Sequence, residues 1–246
     1  MTAPALLALG RGSRDQRSSA TVEALVGELR QMRPDLRVKP AFLEFNRPDL
    51  ATVVAKLARA GVDEVVVVPL FLTQTRQASL DVSRAIATAT ERHGLRVRAT
   101  PLLGLEHALL GVLDKRVRHA LAQARVRELA ALVLAAAGSS DPLANQAVAR
   151  LARLWGARHR LPTRAAFASV APPAAGEAVR AFRGEGRRHV AVGSLFLVPG
   201  SLSDHAAEHA REAGAVAVSE PLGADPEVAR LVLARYAVGA VDLVPV

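Results

Sequence analysis

The chain contains no cysteine, which excludes disulfides and any metal site or cluster held by thiolates. Aromatic residues make up 3% of the chain, with a single Trp and a single Tyr, so little is available to stack on bases. No nucleic-acid-binding motif is present either. A nucleic-acid partner is therefore not expected, despite a formal charge of +9. Lysine is nearly missing too. Of 32 basic residues only Lys39, Lys56 and Lys115 are lysines, so the excess charge is arginine. An Arg-rich, Ala-rich composition accounts for that excess as well as an acidic small-molecule ligand gripped by guanidinium forks does. Long hydrophobic runs are absent: the longest, Leu129 to Ala137, falls far short of the roughly 20 residues a bilayer requires. The start, Met1-Thr2-Ala3-Pro4, carries no basic flank or cleavage site. These absences predict a soluble, cytoplasmic protein with no membrane partner.

What is present is said twice. Leu6-Leu7-Ala8-Leu9-Gly10-Arg11-Gly12-Ser13-Arg14-Asp15 returns as Leu132-Val133-Leu134-Ala135-Ala136-Ala137-Gly138-Ser139-Ser140-Asp141. Ala41-Phe42-Leu43-Glu44 returns as Ala166-Phe167-Ala168-Ser169, and Leu70-Phe71-Leu72 as Leu195-Phe196-Leu197. Pro101-Leu102 returns as Pro221-Leu222, and the offset stays between 120 and 126 residues throughout. A period of that size marks a duplicated domain, not a solenoid. With 246 residues, half of them hydrophobic, the chain suits two domains of roughly 120 residues. The boundary is expected near Arg125-Val126-Arg127, giving lobes 1–126 and 127–246 with a ligand cleft between them.

Within each half, strands and helices alternate. Val-rich runs such as Val65 to Leu72 and Val190 to Leu197 predict strands buried on both faces, and the amphipathic stretches between them predict covering helices. The first half reads as strands at Ala5 to Leu9, Arg37 to Glu44, Val65 to Leu72 and Leu95 to Ala99. Its helices are predicted over Ser18 to Met32, Leu50 to Ala60, Leu80 to Arg92 and Leu105 to Ala124, and the second half repeats the scheme. The fold class is α/β, with two flavodoxin-like lobes, each a four-stranded parallel sheet flanked by helices.

In such sheets ligands gather outside the carboxyl ends of the strands. The first strand ends in Gly10-Arg11-Gly12-Ser13-Arg14-Asp15. As a dinucleotide fingerprint this fails, because its sixth residue is Asp15 and not Gly. Its two glycines still permit a tight turn with close ligand approach. Arg11 and Arg14 supply forks suited to carboxylate or phosphate, and Ser13 or Asp15 is placed to cap the next helix. After the third strand comes Thr73-Gln74-Thr75-Arg76-Gln77-Ala78-Ser79-Leu80-Asp81, answered by Val198-Pro199-Gly200-Ser201-Leu202-Ser203-Asp204. Asp81 and Asp204 read as helix caps.

Taken together, these pieces resemble the sirohydrochlorin chelatase family, the class II chelatases that insert iron or cobalt into a tetrapyrrole, in its long, duplicated form. The resemblance rests on the Leu-Gly-Arg-Gly-Ser-Arg-Asp turn, Ala-Phe-Leu-Glu, Val-Val-Pro-Leu-Phe-Leu, Ala-Ala-Gly-Ser-Ser-Asp, Pro-Gly-Ser-Leu-Ser-Asp and Pro-Leu-Gly-Ala-Asp-Pro, in order. It implies a polycarboxylate macrocycle as ligand, no permanently bound cofactor, and Fe²⁺ or Co²⁺ as substrate. It also implies two histidines, one in the first turn and one after the third strand, that bind the metal and accept pyrrole protons. Here those positions hold Arg11 and Gln77, and the Gly two residues before the second is Thr75. Arginine can neither accept a proton nor offer a lone pair to a metal. Glu44, at the family's acidic position, is the retained candidate base, and it reads equally as an ordinary strand-end carboxylate.

The implied substrate-binding residues are Gly10, Arg11, Gly12, Ser13, Arg14, Thr75 and Arg76, with Glu44, Arg11 and Gln77 at the catalytic positions. His205-Ala206-Ala207-Glu208-His209 has the H-x-x-E-H spacing and offers His205 and His209 as candidate metal ligands. Ala206, Ala207, Ala210 and Ala213 on the same helix predict instead a solvated polar face. Two functions stay open: a chelatase-like enzyme of the siroheme or cobalamin type, or a relative that has lost catalysis and binds a tetrapyrrole, metal or acidic metabolite. Other chemistry on the same fold is a third reading.

Overall fold

The computed structural model describes residues 3–73, 76–91, 94–241 and 243. The first sheet contains β1 (Ala5–Gly10), β2 (Val38–Phe42), β3 (Glu64–Pro69) and β4 (Arg96–Ala99), all parallel, in the order β2-β1-β3-β4. The second contains β5 (Ala131–Ala136), β6 (Thr163–Phe167), β7 (Val190–Ser194) and β8 (Ala217–Val218), parallel in the order β6-β5-β7-β8. The same order twice is the structural form of the sequence repeat. It is also the order that right-handed crossovers produce when a sheet is wound outward from its first strand.

The central strands β1 and β5 are buried along their whole length, as their unbroken apolar sequences require. Leu7, Leu9, Val65 and Val67 turn one face of the first sheet toward Leu50, Val53, Val54 and Leu57 of α2 (Leu50–Arg59) and Ala78 and Val82 of α3 (Arg76–Thr90). In the second sheet Val133, Val190 and Val192 meet Val179 and Phe182 of α6 (Ala175–Gly184) and Ala206 and Ala210 of α7 (Ser201–Glu212). The first helix of each repeat, α1 (Gln16–Met32) or α5 (Pro142–His159), packs beside its own first two strands.

The closing helices do something the repeat does not predict. The chain forms two compact units, Met1–Gly104 with Ala224–Val246, and Leu105–Gly223. Helix α4 (Ala108–Gln123), at the end of the first repeat, packs on β7 and β8, while α8 (Pro226–Val241), at the end of the second, packs on α1, β3 and β4. The repeat divides near residue 126; packing divides the chain at 104/105 and 223/224.

Both helices dock tightly. A Cβ on Gly239 of α8 would lie 2.8 Å from Val66 and from Thr100, and a Cβ on Gly193 of β7 would lie 2.9 Å from Leu113 of α4. The Tyr236 hydroxyl on α8 donates to the Pro4 carbonyl at 2.7 Å, and burial raises its pKa. Asp114 of α4, almost completely buried, accepts from the Trp155 indole N–H at 2.8 Å and lies 2.7 Å from His159 Nε2, both on α5.

The element boundaries correct the sequence reading in several places. Strand β8 has only two residues, where β5 has six and β7 five. Helix α3 begins at Arg76, four residues before the expected Leu80, so Arg76 and Gln77 stand in its first turn and not in a loop. Asp81 is therefore inside α3 and does not cap it. Helix α7 begins at Ser201, and its start is satisfied by the Ser203 hydroxyl, which accepts from the Gly200 N–H at 3.0 Å, so Asp204 is not its cap either. No helix among the described residues is long and apolar enough to cross a membrane.

One substitution made in two helices tests the docking of α8. Gly27→Ala in α1, where a new Cβ meets nothing within 4 Å, should stabilise the fold by about 0.5–1 kcal/mol. Gly239→Ala should destabilise it by about 1–3 kcal/mol, because Val66 and Thr100 must give way. Urea denaturation midpoints of the two variants should move in opposite directions.

Candidate functional site

The carboxyl ends of β1 and β2 are laced into one surface by backbone. Gly10 lies flat against the Phe42 ring, where a Cβ would come within 3.2 Å. Gly12 has φ +94°, and a Cβ there would fall 1.7 Å from the carbonyl oxygen of Glu44, so only glycine fits. That close approach lets the Leu43 N–H donate to the Gly10 carbonyl at 3.1 Å and the Glu44 N–H to the Arg11 carbonyl at 3.0 Å. Next, the Ser13 N–H donates to Asn46 Oδ1 at 2.6 Å, and the Ser13 hydroxyl accepts from the Asp15 N–H at 3.1 Å. Asp15 caps α1 by accepting from the Arg17 N–H at 2.9 Å, and hydrogen bonds from Arg17 hold its carboxyl below its ordinary pKa. Ser13 and Asp15 thus have structural work in the turn and the cap.

On this frame Arg11 extends between two carboxylates. Its guanidinium lies 3.4 Å from Glu44 Oε1 and 3.7 Å from Asp81 Oδ2, with its central carbon 5.5 Å from the centre of the Phe71 ring. Asp81 arrives from the second turn of α3, and Phe71 from the segment just after β3. Arg14 lies over Phe45 at the same 5.5 Å distance. Phe45 is held at φ +60° with its ring exposed. The Arg11 and Glu44 side chains remain about half exposed, at 50% and 45%. Contacts this long and this exposed are worth at most about 1 kcal/mol each, so an incoming anion can displace them.

Of the residues expected from sequence, Gly10, Arg11, Gly12, Ser13, Arg14 and Glu44 therefore come together at one sheet end. Thr75 lies outside the described residues. Arg76 and Gln77 begin α3, with their side chains outside the described set. His205 and His209 stack one turn apart on α7, ring centres 3.9 Å apart. Among the described residues no three His, Asp or Glu side chains gather in a metal-holding group. Asp81 was expected only as a helix cap, and Phe71, Phe45 and Asn46 were not expected at the site. Charge complementarity to Arg11 is the signal that could have picked out Asp81, at a separation of 70 residues.

The second unit repeats the frame without the charges. Gly138 has φ +87°, and a Cβ there would fall 2.0 Å from the Ser169 carbonyl oxygen. The Ser169 N–H donates to the Ala137 carbonyl at 3.0 Å, Val170 has φ +67°, and Asp141 caps α5 as Asp15 caps α1. Both units also place a cis proline after this turn, Pro48 in one and Pro173 in the other. Ala137 stands where the first unit has Arg11, and Ser169 where it has Glu44.

Two parallel α/β units of this topology, each with a glycine turn at the end of its first strand, define a chelatase-like architecture. The sequence profile of the CbiX family matches residues 5–120 and 131–238, and the chain belongs to that family. A sirohydrochlorin cobaltochelatase of Priestia megaterium is 26% identical over 201 residues, covering 80% of this chain and 65% of that protein, just under two thirds of its length. A sirohydrochlorin cobaltochelatase of Sulfurisphaera tokodaii is 29% identical over 84 residues, 34% of this chain and 68% of that protein. In fold, the chain is similar to SirB from Bacillus subtilis, solved with Fe³⁺, with a TM-score of 0.79 at 20% identity over 98% of this chain and 96% of the other.

The loop that carries Glu44 ends at Asp49, which caps α2 by accepting from the Thr52 N–H at 2.8 Å and also pairs with Arg47. The hydrogen bond from Thr52 lowers the Asp49 pKa. A carboxyl depressed in the folded state stabilises the fold above its unfolded pKa of about 4, and loses that contribution as pH falls through its folded value. Asp49→Ala should therefore cost about 1 kcal/mol at pH 7 and progressively less below pH ~4. Thermal melts of wild type and variant between pH 7 and pH 3 should show the gap narrowing on the acid side.

Proposed function

We propose that this chain binds a polycarboxylate tetrapyrrole of the sirohydrochlorin type at the carboxyl end of the first sheet, with Fe²⁺ or Co²⁺ as the substrate metal. The supporting observation is the half-exposed Arg11, standing at the end of β1 in loose contact with Glu44 and Asp81. Arg11 and Arg14 would exchange their present neighbours, Glu44 and the Phe45 ring, for substituent carboxylates of the macrocycle. The Gly10 and Gly12 backbone would form the floor, and Thr75 and Arg76 remain the further substrate-binding residues that the family resemblance implies. Glu44, released from Arg11 by the incoming carboxylate, becomes a free base 33 residues along the chain from the arginine it had paired with. It would accept a pyrrole proton as the metal enters and pass it to solvent.

A second reading rests on the Arg11–Glu44 pair. By the family resemblance, Arg11 would stand where a histidine is expected, and it is paired with the one candidate base. An arginine there neither ligates a metal nor takes a proton, so on this reading the chain binds the macrocycle without inserting metal.

Titration with sirohydrochlorin, followed by absorption, tests the shared claim. A saturable spectral change at micromolar protein is expected, and Arg11→Ala with Arg14→Ala should weaken it by roughly tenfold or more, the worth of lost charge-assisted hydrogen bonds. No spectral change would refute tetrapyrrole binding. The rate of Co²⁺ insertion over the uncatalysed background then separates the two readings, and Glu44→Gln should abolish any excess on the first.

The double variant Arg11→His/Gln77→His returns two imidazoles to the ends of β1 and α3. Calorimetry should show Co²⁺ affinity above that of wild type, weakening below about pH 6.5 as the imidazoles protonate. Equal affinity in both proteins would show that positions 11 and 77 do not converge.

A further inference from the structure

Strand β2 is an edge of the first sheet, and its outer side is closed to another strand. The Arg30 guanidinium, from the last turn of α1, donates to the Val38 carbonyl through Nε at 3.2 Å and Nη2 at 2.8 Å. Pro40 offers no N–H, and the Phe42 N–H already donates to the Pro48 carbonyl at 3.1 Å. Addition of a peptide strand along this edge is thereby blocked.

What the edge presents instead is a groove of about 480 Å³, in the size range of small-molecule sites. Its floor is aliphatic, made by Val53 and Leu57 of α2 with Pro40 and Pro48. Its rim is cationic. Arg30, Arg37, Lys39 and Lys56, brought by α1, the start of β2 and α2, line the groove, and no acid does. Lys56 shares a helix face with Val53 and Leu57. Arg37 and Lys39 alternate with Ala41, which packs in the core with α2, so the strand turns them to the same side of the sheet. Asp35 and Asp49, close by in sequence, pair instead with Arg33 and Arg47. Two of the three lysines stand here, on a chain that otherwise uses arginine. None of these residues belongs to the site at the carboxyl end of the sheet.

We propose that this groove binds an aliphatic phosphate monoester, its chain along the floor and its phosphate at the rim. Four features select that class. The unbalanced cationic rim excludes a cation. The floor carries no aromatic ring on which a nucleobase could stack, and it calls for an apolar body that inorganic phosphate lacks. The closed edge excludes a peptide strand. Lysine ammonium groups, as compact point charges, and arginine forks together surround a dianionic phosphate, which offers more acceptor oxygens than a carboxylate. A soluble monoester and the headgroup of phosphatidate share this chemistry.

Calorimetry on the full chain, with decyl phosphate kept below its micelle concentration, tests the assignment. One decyl phosphate per chain is expected. Lys39→Gln/Lys56→Gln, two exposed changes of similar size, should weaken binding about tenfold or more, as two lost charge-assisted contacts predict. Butyl phosphate should bind at least about tenfold more weakly, because fewer methylenes are buried. Arg11→Ala/Arg14→Ala should leave the affinity unchanged, which separates this groove from the proposed tetrapyrrole site. Absence of binding, or unchanged binding in the lysine variant, would overturn the proposal. So would decanoate or butyl phosphate binding as tightly as decyl phosphate, and a loss in the Arg11/Arg14 variant would move the ligand to the other site and overturn it too. Sedimentation with phosphatidate vesicles, lost in the lysine variant, would identify the lipid headgroup as the source; binding of decyl phosphate without sedimentation would identify a soluble monoester.

Discussion

The first unit's site depends on one close approach, that of the Glu44 carbonyl to the space where a side chain at position 12 would stand. Without it, the loop after β1 and the loop after β2 would part, and Arg11 and Glu44 would lose the shared backbone that keeps them adjacent. Side-chain electrostatics cannot substitute for this constraint, because the Arg11 contacts are long and solvated. Backbone geometry therefore sets the site, and the charged groups decorate it. The second unit shows the separation plainly. Gly138 meets the Ser169 carbonyl in the same way, yet neither neighbouring position carries a charge.

Divergence between the two copies follows from that division. What both retain is what closes the turn: a glycine with positive φ, a serine accepting from the second N–H onward, an aspartate cap and a cis proline. What differs is what faces solvent. The first copy keeps an arginine between two acids; the second keeps bare turn residues and instead carries its acids on α7. Two copies under the same folding requirement can thus acquire opposite local charge at no cost to the frame.

The parts of this structure legible in the sequence are those governed by local chemistry. Continuous apolar runs marked the strands, the small-polar turns marked their ends, and Asp15 was readable as a cap because it precedes an amphipathic run. Helix α3 was misplaced at its start, since Thr73-Gln74-Thr75 carries no glycine, proline or capping acid to mark a boundary and the first apolar residue is Leu80. Charge complementarity made Asp81 a possible partner for Arg11, but the contact itself depends on where α3 begins, and nothing in the sequence marks that start. The exchange of α4 and α8 was hidden for a different reason. Periodicity shows that a helix has an apolar face; it does not say which sheet will receive it.

That exchange bears on how the chain is made. The helix that covers one face of the first sheet is α8, the last element of the described chain. During translation the first four strands emerge long before it, with Val66 and its neighbours on β3 uncovered while the whole second repeat is synthesised. The nascent first unit must wait with an open apolar face, shielded by α1 alone or by a chaperone. The second unit, Leu105 to Gly223, is contiguous and has all its parts as soon as β8 leaves the ribosome. Order of synthesis and order of completion are thereby inverted: the half made first is the half finished last.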